Sequence, residues 1–511
     1  MELQVILSDE RLKNGCLLPA ASPFRCQIPG IPSPCVFSTM ADVTIYPISV
    51  CDFSYITRDL EQYGLSEVSG TQAAIRISLQ LNSMIHSDHL PDELTCYLNI
   101  PESEASLIQC QILADNIGVF VSSGSSYQKD DDIGFEIPDY DWENFLDTSK
   151  SLRGIASILK LLAYPALFKF VTIKGLRKAF QRMQGQQLDI VIALKQRMNC
   201  FINKLNSEHL KLWCVPTVNL FRKRSDRTEF NGQYEQHLVP DRTAPQNFEV
   251  YKIISVEAYN ERNEVLFHCD PCYHVSGALQ NMKKGHNYFV QHRTEHILGS
   301  VTNKRSSYVG TEVYFSITGE KYLDEWENIR QFCADTLCTN RDLPLLLRQN
   351  DVLTPPQGAP VSKASFISLP GVPHTPVIRN GDVNSWRIAS HVIHNVSSTL
   401  WLKENIRVET IRELVRSYDL RNDDGINRLA EGIVAINSNP HSFRFISHGS
   451  VYFEQGWKIE VTLDEQACEG TGVFIFGSVI NTLLQSFTSL NTCLEVVLHT
   501  DKRKNIISWM S

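Results

Sequence analysis

His292-Arg293-Thr294-Glu295-His296 spells H-x-x-E-H. On a helix this order lets two imidazoles one turn apart grip a zinc ion while the glutamate acts as base. The pattern is short, and a chain with 15 histidines meets it readily by chance. Lys283, Lys284, Gly285 and His286 precede it and a polar run from Gly299 to Ser307 follows, where a catalytic helix needs a buried apolar face. A second set, His268, Cys269, Cys272 and His274, offers two thiols and two imidazoles within seven residues. It supplies only one loop, whereas a structural zinc site takes ligands from two. Cys333 and Cys338 lie in an apolar run and read as core. Gly470, Gly472 and Gly477 lack the G-x-G-x-x-G order, no Lys-Ser or Lys-Thr follows them, and there is no G-x-S-x-G elbow. No catalytic, cofactor-binding or metal residue is predicted, and a binding or assembly role gains weight.

The elements that carry these residues come from a chain of 511 residues, which at roughly 100 to 200 residues per domain suggests two to four domains. The net charge of −9 repels a phosphate backbone and argues against nucleic acid as a ligand. Glu2 stands where a signal peptide needs a basic region. The most apolar stretches are Ile158 to Ile173, broken by Lys160 and Lys169, and Val473 to Leu490, which carries Ser, Thr, Asn and Gln. Neither is a continuous apolar span of about 20 residues. Fourteen scattered cysteines, mostly within apolar patterns, suit reduced thiols in a cytoplasmic protein.

The fold class is α+β, built from several mixed, β-rich modules with short helices. Period-two alternation at Cys35 to Val50, Ile75 to Leu81 and Leu94 to Ile100, with a short helix behind Pro101 and a strand at Ile117 to Val121, marks an N-terminal module over 1–125. Residues 126–150, with Asp130, Asp131, Asp132, Glu136, Asp139, Asp141 and Glu143, read as an acidic linker or loop; the EF-hand order is not met. A central β-rich domain follows over 151–354. It opens with a helix from Ser151 to Tyr164 stopped by Pro165, then strands at Ala166 to Ile173 and Leu188 to Leu194. A Pro-rich crossing occupies 355–382, and a C-terminal α+β domain 383–511. Lys174, Arg177, Lys178 and Arg182, and also Arg222, Lys223 and Arg224, form small basic clusters that read as solvated faces.

Near the C-terminus, Phe476, Val479, Ile480, Leu483, Leu484, Phe487 and Leu490 repeat at helical spacing. Ser478, Asn481, Gln485 and Ser489 lie opposite, and no charge occurs from Gly470 to Leu494. A solvent-facing helix carries Lys or Glu on such a face, so this row is predicted to pack against protein, with a neighbouring subunit favoured over another part of the chain. Asn340, Arg341 and Asp342, before Leu343-Pro344, offer side chains that bond local backbone in a turn or meet a partner, and Asn219 reads the same way.

Several blocks in order resemble the TssF family of type VI secretion baseplate subunits: Cys35 to Val50, Leu161 to Leu176, Trp213-Cys-Val-Pro-Thr-Val-Asn-Leu-Phe221, Cys338-Thr-Asn-Arg-Asp-Leu-Pro344, Trp386 to His391, Gly472 to Ile480 and Ser489-Leu490-Asn491. Family members usually open with a longer helical segment, and Cys493 stands where they usually have Phe, so the chain is identified as a diverged member. The resemblance implies a non-enzymatic, cytoplasmic wedge protein similar to those of contractile phage tails. It would pair with a second copy and TssG, bind TssK and TssE, surround the VgrG spike hub beneath the sheath base, and reach the membrane only indirectly. A zinc hydrolase on His292, Glu295 and His296, and a wedge protein of a phage-like contractile tail, are the competing readings. Thiol counting in denaturant without reductant should find all fourteen cysteines reactive; finding most of them bridged would reject the cytoplasmic placement.

Overall fold

The computed structural model describes residues 1–65, 68–82, 85–123, 126–140, 153–183, 185–272, 287–295, 306, 308, 310–349, 351–371, 404–418, 424–447, 450–486 and 492–510. His274, His296, the Trp386 block, Ser489 and the Ser489-Leu490-Asn491 block lie outside the described residues. The chain forms two compact units interleaved in sequence: unit 1 takes Met1, 19–42 and 216–376, and unit 2 takes 2–18, 43–215 and 377–511. Both mix strands and helices, the α+β class expected.

Unit 1 is built on an eight-stranded sheet. Its path runs Phe221–Arg224, Gln331–Thr339, Glu249–Tyr259, Val265–Pro271, Asn287–Glu295, Thr311–Gly319 and Gln236–Leu238, with Thr228–Glu229 also paired to Gln331–Thr339. Two register shifts between Glu249–Tyr259 and Gln331–Thr339 bend the sheet. Thr228 near one end donates to the His237 carbonyl near the other at 3.4 Å, so the sheet curls back on itself. The enclosed core holds Val250, Ile253, Val256, Phe267, Phe289, Phe315 and Phe332.

Unit 2 holds a five-stranded antiparallel sheet ordered Ser126–Lys129, Asn116–Ser123, Gln187–Leu194, Ala73–Leu81 and Ile48–Ile56. A second sheet runs Gly134–Glu136, Phe170–Lys174, Glu93–Leu98 and Leu210–Lys211. A third joins the long hairpin Ile433–Ser447 and Ser450–Leu463 to Cys493–Thr500 and Ile507–Met510, with Ser450–Leu463 and Cys493–Thr500 parallel. Five helices serve its largest core: α1 (Glu102–Leu113), α2 (Arg153–Ala163), α3 (Glu404–Ser417), α4 (Asp424–Glu431) and α5 (Val473–Ser486).

Helix α5 is apolar almost all round, so it has to be covered on several sides. Gly472, at φ +90°, starts it where a Cβ would lie 2.1 Å from that of Ser106 on α1. Gly154 lets α2 approach so closely that an added Cβ would sit 2.3 Å from Ser486 Oγ and 2.7 Å from Leu483 Cα.

Several elements differ from expectation for identifiable reasons. Residues 126–150 are expected as a linker or loop, yet 126–129 and 134–136 are strands. Their acids face the basic cluster, with Lys174 on Glu136 at 2.6 Å, Lys178 on Asp132 at 2.7 Å, and Arg182 on Asp130. Each charge run explains the other. Residues Pro165–Lys169 form a 3-10 turn before the strand begins at Phe170, and Lys169 turns inward to donate to the Ile100 carbonyl at 2.7 Å. The hairpin strand 433–447 continues through the polar 437–442 and accommodates Pro440 because it is the edge strand of its sheet.

Gly154→Ala should destabilise unit 2 by about 1 to 3 kcal/mol through overpacking. Gly134→Ala, with nothing within 4 Å of the new Cβ, should change stability by less than about 0.5 kcal/mol. Paired thermal melts check this, and equal midpoints would show that α2 and α5 separate without cost.

Candidate partner interface

The Asn340 turn follows directly from the end of the Gln331–Thr339 strand. Asn340 is 0% exposed, so all its polar groups must be satisfied inside unit 1. Its Oδ1 accepts from Val36 N and from Asn219 Nδ2, both at 2.9 Å. Its Nδ2 donates to the carbonyls of Pro34 (3.2 Å) and Asn247 (3.4 Å), and its backbone N–H donates to Asn219 Oδ1 at 2.8 Å. Asn219 Nδ2 returns to the Val36 carbonyl at 2.8 Å. Two amides thus tie together three distant parts of the chain besides their own turns. Sequence reading placed both in turns but had no signal that they pair across 121 residues.

Arg341 takes a left-handed backbone, φ +52°, which throws its guanidinium over Gly310. Its Nε lies 4.0 Å from Glu249, a buried carboxylate that also accepts from Thr311 N (2.8 Å), Thr311 Oγ1 (2.6 Å) and Tyr308 OH (2.9 Å). Asp342 accepts from Ser306 Oγ at 2.8 Å. The signature block therefore spends its polar atoms on the fold of unit 1, and Asn340 presents no surface to a partner.

Two residues of the uncharged row of α5, Ser478 and Asn481, face a cavity of about 460 Å³ within unit 2. Ser478, Asn481 and Thr482 line one side, and Ile137, Tyr140, Lys160 and Trp509 line others. Asn481 is 7% exposed and accepts from Gln485 Nε2 at 3.0 Å, while Ser478 donates to the Ile475 carbonyl at 2.8 Å. Lys160 is held at the Tyr140 carbonyl (2.7 Å) and Asp139 (3.3 Å). Burial inside the unit thus accounts for the missing charge at Asn481, and Gln485 stays half-buried.

Of the zinc candidates, His292 lies on the Asn287–Glu295 strand and not on a helix, while His274 and His296 lie outside the described residues. The His292 ring stacks on Tyr314 at 5.4 Å, with Nδ1 3.4 Å from Glu235. Burial pushes the Cys269 thiol far up, away from the thiolate a metal needs, while the His268 imidazole faces solvent beside Glu257 at 3.4 Å. No three His, Cys, Asp or Glu among the described residues are placed to hold a metal ion.

The other basic cluster is also occupied. Lys223 pairs with Asp241 at 3.0 Å, and Arg224 pairs with Glu257 and donates to Tyr259 OH at 2.6 Å. No disulfide links the fourteen cysteines.

Asn340→Ala should cost at least about 3 kcal/mol, since it orphans several buried groups at roughly 1 to 3 kcal/mol each. Asp342→Asn, half-buried and able to keep its acceptor oxygen, should cost less than about 1 kcal/mol. Denaturant melts compare them; an Asn340→Ala variant that melts like wild type but fails to assemble would reverse the assignment.

Comparison with known proteins bears on all of this. The family model "Type VI secretion system, TssF" matches residues 1–511. The type VI secretion system component TssF1 of Pseudomonas aeruginosa is 27% identical over 529 aligned positions, spanning 98% of this chain and 82% of that protein. A chain in the cryo-electron microscopy structure of the TssK-TssF-TssG baseplate subcomplex superposes with a TM-score of 0.73 at 19% identity, covering 99% of this chain and 89% of its own. A chain in the baseplate complex from the type VI secretion system gives 0.60 at 14% identity, covering 100% and 83%. Nearly the whole fold is shared, the signature blocks hold it together from within, and the chain belongs to the TssF family of the type VI secretion system.

Proposed function

We propose that this chain is a structural wedge subunit of a type VI secretion baseplate, acting by assembly and not by catalysis. The observation that carries this reading is the family match along all 511 residues, joined to a shared fold with a chain of the TssK-TssF-TssG subcomplex. Of the residues that could have argued for chemistry, His292 lies on a strand with its ring stacked on Tyr314, and Cys269, Cys333 and Cys338 are buried in the core. On this reading the chain binds TssG- and TssK-like subunits. It pairs with a second copy, meets TssE, and helps surround the VgrG spike hub at the sheath base. It works in the cytoplasm at the inner face of the inner membrane; no helix among the described residues is long and apolar enough to cross one. Its role is mechanical: it holds the base of the sheath until the wedges rearrange, which calls for interfaces with two arrangements and no reactive group.

Helix α5 contributes to this assembly through its half-buried edge at Gln485, beside the cavity that takes Asn481. Co-expression with TssG- and TssK-like proteins should yield a co-purifying complex. Gln485→Lys should leave the melt of the lone chain unchanged while weakening that complex at least about tenfold, as a charge placed in a contact must be desolvated. A variant that melts and co-purifies like wild type removes α5 from the interface; a wild-type chain that ignores both subunits removes the baseplate reading itself.

A further inference from the structure

Residues 320–330 of unit 1 read Glu-Lys-Tyr-Leu-Asp-Glu-Trp-Glu-Asn-Ile-Arg, large apolar side chains set among acids. They fold as a short helix, Glu320–Asp324, and a 3-10 turn, Trp326–Asn328. Tyr322 and Ile329 point into the core. Trp326 packs edge-on against Phe230 (4.7 Å between ring centroids) and Tyr322 (5.0 Å), and Phe230 packs in turn on the buried Phe332 (5.5 Å). A file of aromatic rings thus runs from the sheet to the surface.

At its outer end the side chains that should be polar are not. Leu323 is 73% exposed, Tyr234 72% and Trp326 36%. Tyr234 sits on a loop fixed by its own side chains: Asn231 Oδ1 accepts from Gln233 N (3.0 Å) and Gln236 Nε2 (3.1 Å), and Gln236 Nε2 also donates to the Gln233 carbonyl (2.7 Å). The antiparallel register that sets Gln236 opposite Phe315 carries the chain at Tyr234 toward the end of the Thr311–Gly319 strand, where the short helix begins, and Phe230 on the same loop packs on Trp326. Exposed aromatic and leucine side chains held rigidly are the make-up of a binding hot spot, because little freedom remains to be lost on contact.

The rim defines the partner. Asp324 and Glu327 are exposed, Glu325 is half-buried and accepts from Asn328 at 2.7 Å, and Glu235 adjoins Tyr234. Arg330, on the same segment, is held by Glu261 at 2.9 Å. This acidic surround repels the phosphates of anionic lipid and of nucleic acid, and it complements a basic protein surface.

We infer that Tyr234, Leu323 and Trp326 form a docking knob for a neighbouring baseplate subunit whose receiving surface is an apolar socket rimmed by lysine and arginine. The inference rests on the baseplate reading above. It is tested on the full chain by titrating the TssG-like and TssK-like proteins separately, at low and high salt. The variants are Tyr234→Ser with Leu323→Ser, and Asp324→Lys with Glu327→Lys; Trp326 is left in place because Phe230 packs on it.

Both variants should melt like wild type. The apolar double variant should bind one of the two subunits roughly thirtyfold more weakly or worse, the loss expected of hot-spot truncation. The charge-reversed variant should associate more slowly and lose the salt dependence of wild type. If wild type binds and both variants bind equally well, the knob is not the contact. If the variants lose only self-association in sedimentation, the occupant is a second copy and the assignment to another subunit is wrong. If wild type binds neither subunit, the baseplate reading falls, and the knob's assignment falls with it.

Discussion

A helix without a charged residue has no face it can leave in water, and unit 2 is organised around covering one. Helix α5 meets the Cys493–Thr500 strand, where Gly477 faces Leu498, and it meets α2 through Gly154 and α1 through Ser106. The polar atoms trapped by this packing are satisfied locally, with Ser486 bonding the Leu483 carbonyl and Gln485 bonding Asn481. Arg503, in the connection that follows the Cys493–Thr500 strand, pairs with the buried Asp115, just past the end of α1. Burying each large apolar side chain of α5 contributes about 1.5 to 3 kcal/mol, so losing one close approach loosens several contacts together.

Unit 1 solves a different problem. Its sheet curls, and the segments that cross its end cannot all find partners in a ladder. The Asn219–Asn340 amide pair supplies the missing donors and acceptors at 34–36, 247 and the two turns themselves. A planar amide with two donors and two lone pairs suits this task, since one residue can bridge strand ends that run in different directions. Glu249 does the same for Tyr308 and Thr311 with a charged acceptor, and Arg341 lies close enough to balance it. The Asn219 and Asn340 blocks, which carry the family resemblance most specifically, therefore act on the fold.

The charged groups follow one pattern across both units. Basic runs that might have met an external acid meet internal ones, and imidazoles that might have held a metal lie beside carboxylates or aromatic rings. Large apolar side chains are also exposed: Leu323 and Tyr234 on unit 1, and Tyr452 and Phe453 on the hairpin of unit 2.

Periodicity in the sequence was enough to place Gln187–Leu194, Ala73–Leu81 and α5, because burial of one face, or of all faces, leaves a repeat that local reading detects. The family resemblance singled out the Asn340 block, and the missing charge set Asn481, which is buried, apart from a solvent-facing position. Periodicity could not reveal that two units are threaded through one another in sequence, since contacts between segments 200 residues apart leave no local period. Nor could it tell the acidic run 130–136 from a linker, because those carboxylates owe their order to Lys174, Lys178 and Arg182, which only folding brings opposite. His292 and Glu295 carried the spelling of a metal site, and the backbone put them on a strand. Spelling is a property of neighbours along the chain, whereas a site is a property of neighbours in space, and only the tertiary structure sets the second.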